Sequence, residues 1–361
     1  MTLRPLPLAL CGIAAFGLAA CDSADGPAAT PESATGAFDA ALFADSDQLI
    51  VISNQDNAKD NDRAVRFRNP DDLRGKGAFF FEKNYDVLSF QSSILDESQV
   101  QYFGTFDLQM GGRVAKFDRR GNQLATNDFI LQSPKGLDVG FVDGDRLLFV
   151  ADVGQDGIFV HEDEALDPVA TLNEPGGRNW DVHFNTDTDL LFAAGVDGFV
   201  SVYNVFGPGD VPFDRFQVFD VNGDPATNNH GITFDAESNT LIVSDVGDAG
   251  SATDGAINVL DYNLADRILG ENADAPITAR ATYMGSNTML GNPVDITGSN
   301  DGIFVAEKAN EGGKVLRFSG VLGATGMQNV APDEVNNTIR GAESVDAVDR
   351  QSFGETPSND G

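Results

Sequence analysis

Cysteine, histidine, tryptophan and positive charge are all scarce in this chain, and each shortage removes a class of function. Two Cys, three His and one Trp occur among 361 residues. Cys11 lies in an N-terminal apolar run that reads as a signal, so a processed chain keeps only Cys21. That excludes an internal disulfide or a thiolate metal site. His161, His183 and His230 are far apart, with no paired spacing for zinc. His161 and His183 fall in strand patterns, where a structural role is expected. Lys and Arg number 23 against 56 Asp and Glu, giving a net charge of -33. A nucleic acid partner is excluded, because phosphate binding needs the opposite sign. No Gly-x-Ser-x-Gly elbow and no Walker loop occur. Long helix-period runs are missing, which excludes a helical solenoid.

What is abundant is Gly, Asp and Phe, the composition of many short strands joined by turns. The stretch Pro134 to Glu162 shows the unit: the run Leu137-Asp138-Val139, a turn at Asp143-Gly144, a β-branched and aromatic run ending on Asp152, then a strand over Ile158 to His161. Three short strands cannot bury both faces alone, so the unit has to stack on copies of itself.

Copies are present. Aligning Asp39, Asp86, Asp138, Asp181, Gly231 and Asp295 gives intervals of 47, 52, 43, 50 and 64 residues. Apolar second strands recur at Leu49 to Ser53, Leu147 to Asp152, Leu190 to Gly195, Leu241 to Asp245 and Ile303 to Glu307. Alternating third strands follow at Ala64 to Phe67, Arg113 to Phe117, Ile158 to His161, Phe199 to Tyr203, Ala256 to Asp261 and Lys314 to Phe318. The expected fold class is all-β: a β-propeller of six blades of four antiparallel strands over residues 38–349, with seven blades as the variant and a sandwich as the runner-up. Ser344 to Val348 reads as another first strand, which either completes the first blade or begins an incomplete seventh. Residues 350–361 read as a polar tail.

Residues 1–20 carry one basic residue, Arg4, and then an apolar run too short to span a membrane. The run ends Leu18-Ala19-Ala20-Cys21, which resembles a bacterial lipobox. The resemblance implies a lipoprotein acylated at Cys21, anchored to the bacterial membrane on the periplasmic or cell-surface side. Residues 21–37 read as a disordered tether.

The units Leu137 to Val160, Gly231 to Leu260 and Val294 to Phe318 resemble NHL-type propeller repeats, through Phe149-Val150-Ala151-Asp152-Val153-Gly154 and Ile242-Val243-Ser244-Asp245-Val246-Gly247. Asn228 to Phe234 resembles a segment of gluconolactonase-type propeller hydrolases. In that family an Asn before the Gly-Ile pair binds a divalent metal. Here His230 holds that place, and Trp180 stands where another Asn is expected.

In a propeller the starts of first strands and the ends of second strands meet at one mouth. The candidate metal ligands are therefore Asp138, Asp181, Asp295, Asp245 and Glu307, hard oxygen donors suited to Ca²⁺. The alternative is that each acid binds turn amides in its own blade. His230, Trp180 and Asn292 are candidate ligand-binding residues at the same mouth. Asp220-Val221-Asn222-Gly223-Asp224 partly resembles a calcium loop but lacks the closing Glu. These features point to a lipid-anchored envelope propeller that binds a protein or small molecule. The alternative is a metal-dependent lactonase or esterase working at the channel mouth.

Overall fold

The computed structural model describes residues 48–349 apart from 55–63, 69–70, 74–76, 81–85, 97–98, 109–110, 119–122, 128–130, 165, 174–177, 206–210, 249, 269–272, 300–301, 310–311 and 340. The expected signal, the tether with Cys21, Asp39 and the polar tail lie outside the described residues. No helix among the described residues is long and apolar enough to cross a membrane.

The described strands form six antiparallel sheets. Their innermost strands are Ala342–Asp349, Asp86–Asp96, Pro134–Val142, Asn179–Asn185, Asn229–Asp235 and Pro293–Ser299, for sheets one to six. Each packs against the next in that order, and the sixth packs against the first, so the sheets close into a propeller-like ring. The C-terminal strand Ala342–Asp349 pairs with Gln48–Asn54 and so completes the first sheet, the first of the two roles expected for it.

The second strand of sheet four is apolar along its whole length because sheets cover both of its faces. Leu190–Gly195 is buried at every residue, which explains why it reads as a continuous run rather than an alternating one. The turn after Pro134–Val142 uses Asp143 and Gly144 at φ 54° and 90°. Two successive positive φ values suit a tight hairpin whose twist matches its strands. Two short strands that the pattern does not reveal, Ile277–Thr278 and Gly326–Gln328, add in parallel to the outer edges of sheets four and five. The outer strand of sheet six, Glu334–Asn336, is only three residues long and is likewise invisible to periodicity.

Aromatic side chains fill the seam between sheets four and five. Phe192 lies 4.6 Å from Phe234 and 5.4 Å, edge-on, from Tyr262. The Tyr262 hydroxyl donates to Asp214 Oδ2 at 2.9 Å, which raises its pKa beyond what burial alone does. Arg267 adds two charge-assisted bonds to the same carboxylate at 2.8 and 2.7 Å. Asp214 is fully buried, so removing Arg267 strands a charge away from water. Arg267→Met is expected to cost about 3–5 kcal/mol, read as a lower midpoint in urea unfolding with an unchanged slope.

Candidate functional site

One device sets the geometry at the axis. In all six sheets the pairing between the innermost strand and its neighbour slips by one residue near the innermost strand's start. A bulge of this kind re-aims the extra side chain and keeps the strand's two-residue alternation beyond it. The extra residues are Glu343, Leu88, Lys135, Trp180, His230 and Val294 for sheets one to six. Directly after them come Ser344, Ser89, Gly136, Asp181, Gly231 and Asp295, a first level. Two residues deeper are Asp346, Gln91, Asp138, His183, Thr233 and Thr297, a second level.

This register corrects the alignment drawn from the sequence. Asp181 and Asp295 are equivalent, but Asp138 sits one level deeper, beside His183 and with Asp346 as its counterpart. Asp86 pairs with Asp107 before the bulge and belongs to neither level. A slide of two residues leaves the alternation intact, so the pattern apolar-acid-apolar fits either alignment.

The acids bridge neighbouring sheets. Asp138 Oδ2 accepts from the Phe184 amide at 2.7 Å, Asp181 Oδ2 from Ile232 at 3.1 Å, and Asp295 Oδ2 from Val345 at 2.8 Å. Each of these three carboxylates thus ties its strand to the innermost strand of the next sheet. Asp138, Asp181, Asp295 and Asp346 line one cavity of about 780 Å³. His183 Nδ1 lies 3.5 Å from Asp138 Oδ2, and burial lowers its pKa to about 4, so it is neutral at neutral pH. Space at the first level is tight. A Cβ on Gly136 would come within 1.9 Å of Asp181 Oδ1, and one on Gly231 within 2.8 Å of the Asp295 Cα. Glycine is required at both places, at Gly136 because Asp181 of the next sheet fills the space and at Gly231 because the backbone of Asp295 and Ile296 does.

Burial pushes the pKa of Asp181 up, and repulsion from Asp295 pushes it further. Asp295 rises to about 7, mainly through burial and despite its two amide donors; it also shares a hydrogen bond with Asp181. Two facing carboxyls of this kind hold one proton between them.

The second-strand acids do something else. Asp152 accepts from the amides of Gln132, Ser133 and Gly154 at 2.7–2.8 Å. Asp245 accepts from Thr227, Asn228 and Gly247 at 3.0–3.1 Å. Glu307 accepts from Gly291, Asn292 and Ala309 at 2.8–3.0 Å. All three staple the loop that leads into their sheet's innermost strand. Asp220 does the same inside its own turn, accepting from Asn222 and Asp224 at 2.8 Å. Among the described residues no group of three or more His, Cys, Asp or Glu side chains is placed to hold a metal ion. The five acids expected as calcium ligands are split between channel and loops: Asp138, Asp181 and Asp295 line the cavity, while Asp245 and Glu307 bind loop amides.

Four of the bulge residues, Glu343, Lys135, Trp180 and His230, gather at the mouth, whereas Val294 packs into the apolar core. Trp180 and His230 stack with ring centroids 3.7 Å apart and planes 7° from parallel. Lys135 Nζ stands 5.0 Å over the Trp180 ring. Lys308 pairs with Glu343, linking sheets six and one. Burial, helped by the charges of Lys135 and Lys308, lowers the His230 pKa to about 3. Several buried polar atoms here have no partner: both amide atoms of Asn179, Oδ1 of Asn229, Nδ1 of His230 and Oδ1 of Asn292. Of the residues expected at the mouth, His230 and Trp180 meet directly and Asn292 supplies an orphaned oxygen. Lys135, Asn179, Asn229 and Glu343 were not singled out from the sequence. Their signal is positional: Lys135 and Glu343 stand immediately before the small first-level residues Gly136 and Ser344, and Asn179 and Asn229 one place earlier still. His161, by contrast, is structural as expected: it is buried, and its Nδ1 meets Leu166 O at 2.9 Å.

Ring and channel together define a β-propeller-type protein, and comparison with solved structures agrees. A chain of a nidogen/laminin complex superposes with a TM-score of 0.58 at 12% identity, over 84% of this chain and 99% of that one. A Bacteroides fragilis protein proposed to be a 6-phosphogluconolactonase gives 0.54 at 11% identity, over 85% and 99%. A Bacteroides uniformis protein of the same proposed activity gives 0.53 at 12%, over 84% and 100%. Identities this low establish the fold alone. No protein-family model matches the chain, and no curated protein matches it in sequence.

The shared proton has a measurable sign. A carboxyl whose folded pKa is raised binds more protons folded than unfolded, so it lowers stability as pH rises from about 4, its ordinary value, towards about 7. Asp181→Asn removes one of the two charges. The variant is expected to melt a few degrees above the wild type at pH 8 and to show a shallower fall in melting temperature from pH 5 to pH 8, read by differential scanning calorimetry.

Proposed function

We propose that the protein is a ligand- or protein-binding propeller whose recognition surface is the mouth built by the bulges, held at the cell envelope by an acyl group on Cys21. The observation that carries this reading is the Trp180–His230 stack ringed by unpaired buried amides. An unpaired buried polar group costs about 1–3 kcal/mol. Four residues carry such atoms at one mouth, an expense that a bound partner's hydrogen bonds would offset. A large ring with a polar border is also the usual anchor of a binding surface. The envelope location is supported by Leu18-Ala19-Ala20-Cys21 and the polar tether. Among the structural neighbours, the chain from the nidogen/laminin complex is a propeller found in a protein assembly, which is the same class of role.

The second reading is a hydrolase acting on lactones or esters. It is favoured by the neighbours proposed to be 6-phosphogluconolactonases, and by the raised Asp181 and Asp295 in the channel, since a carboxyl that keeps its proton near neutral pH can act as a general acid. A thermal-shift screen of small molecules against wild type and Trp180→Ala separates the two. The binding reading expects compounds that raise the wild-type midpoint and lose the effect in the variant. Compounds that shift both proteins equally contradict it. Reproducible lactone turnover that disappears in Asp295→Asn would establish the hydrolase instead.

A further inference from the structure

The axial cavity contains one polar group that the scaffold does not use. At the second level, three side chains bind the backbone of the next sheet. Asp138 accepts from the Phe184 amide at 2.7 Å, His183 bonds to the backbone of Phe234, and Thr297 accepts from the Ala347 amide at 3.3 Å. Thr233 stands at the same level of sheet five and breaks the series. It is only 7% exposed and lines the cavity, yet its hydroxyl makes no hydrogen bond among the described residues.

Four carboxylates share that cavity at two levels, Asp181 and Asp295 at the first, Asp138 and Asp346 at the second. Among the described residues that line it there is no Lys or Arg. The amides bound to Asp138, Asp181 and Asp295 leave acceptor capacity over, since a carboxylate offers about four lone-pair sites. Amides also leave the charge in place, and neutral His183 does not offset it. Among the described residues no three acids are placed to hold a metal ion, so a cation that serves both levels has to be extended. The levels are two residues apart, about 6.6 Å along a strand. Four carbons between two nitrogens span nearly the same length.

We propose that the axial cavity takes an aliphatic diammonium ion, one end between Asp181 and Asp295 and the other at the level of Asp138, Asp346 and Thr233. An ammonium donates and never accepts, which suits a set of carboxylate oxygens and one hydroxyl oxygen. The proton that Asp181 and Asp295 hold between them passes to solvent as the first ammonium enters. The site is separate from the Trp180–His230 stack and does not depend on the mouth being a recognition surface. Amines therefore belong to the test below and not to the thermal-shift screen.

The test is isothermal titration calorimetry of the full chain at pH 8 and physiological ionic strength, with 1,4-diaminobutane, 1-aminobutane, 1,4-butanediol and Ca²⁺ as probes. Saturable one-to-one binding is expected for 1,4-diaminobutane and none for 1,4-butanediol. Affinity for 1-aminobutane should be about tenfold or more lower, the scale of losing one charge-assisted set of bonds. Thr233→Val keeps the shape of the side chain and should weaken 1,4-diaminobutane about tenfold, with Thr233→Ser restoring it. Asp181→Asn should weaken it as well. That variant is expected to be the more stable protein at pH 8, so its loss of binding is not a loss of fold, and the Thr233 variants stand without it. Equal binding of 1,4-diaminobutane to wild type, Thr233→Val and Asp181→Asn would place it on the acidic outer surface and overturn the inference. Equal affinity for 1-aminobutane or 1,4-butanediol, Ca²⁺ binding that Asp181→Asn abolishes, or no binding of any probe would overturn it too.

Discussion

Crowding at the axis is the constraint on which the rest of the structure depends. Six sheets bring their innermost strands to one line, and side chains cannot all fit at one level. The chain resolves this with glycine: the Asp181 side chain fills the space beside Gly136, and the backbone at Asp295 and Ile296 the space beside Gly231. The carboxylates of Asp181 and Asp295 accept amide hydrogens from the next sheet. Packing, hydrogen bonding and acid chemistry at the axis are therefore one arrangement. Its consequence is the pair Asp181 and Asp295, which are held close and buried and so share a proton.

The bulge works on the other side of the same constraint. Inserting one residue at the same place in every innermost strand brings Lys135, Trp180, His230 and Glu343 to the mouth without disturbing the alternation deeper in the channel. Loop staples at Asp152, Asp245 and Glu307 fix the chain as it enters these bulges. Scaffold acids recur from sheet to sheet, while the bulge residues differ: Lys135, Trp180, His230 and Glu343 share no chemistry. Variation confined to positions that one repeated device presents is how a symmetric fold acquires a specific surface.

Much of the fold was legible in the sequence because second strands are packed on both sides. Leu190 to Gly195 and Ile303 to Glu307 announce themselves as apolar runs, and Ala256 to Asp261 as an alternating one. Strands of two or three residues, such as Gly326–Gln328, carry no period to read. The site was legible only in part. Trp180 and His230 stood out as residues unlike their counterparts in the other repeats. Their contact did not, since it depends on bulges that leave no mark in composition. The level of Asp138 was misread for the related reason that a two-residue slide preserves alternation. The binding of Asp245 and Glu307 to loop amides was the alternative reading of those acids, and it is the one their hydrogen bonds follow.

Bulges in neighbouring sheets press Trp180 flat against a buried, neutral His230. A pH titration of Trp180 emission tests it most directly, with His230→Ala as the control. A protonated imidazole in contact with an indole changes its emission. Burial holds the His230 pKa near 3, so wild-type emission is expected to stay flat from pH 8 to pH 5 and to differ in intensity from the variant throughout. A titration step near the ordinary histidine value of about 6.5 that vanishes in the variant would contradict the account, because it would place His230 in solvent rather than in the stack.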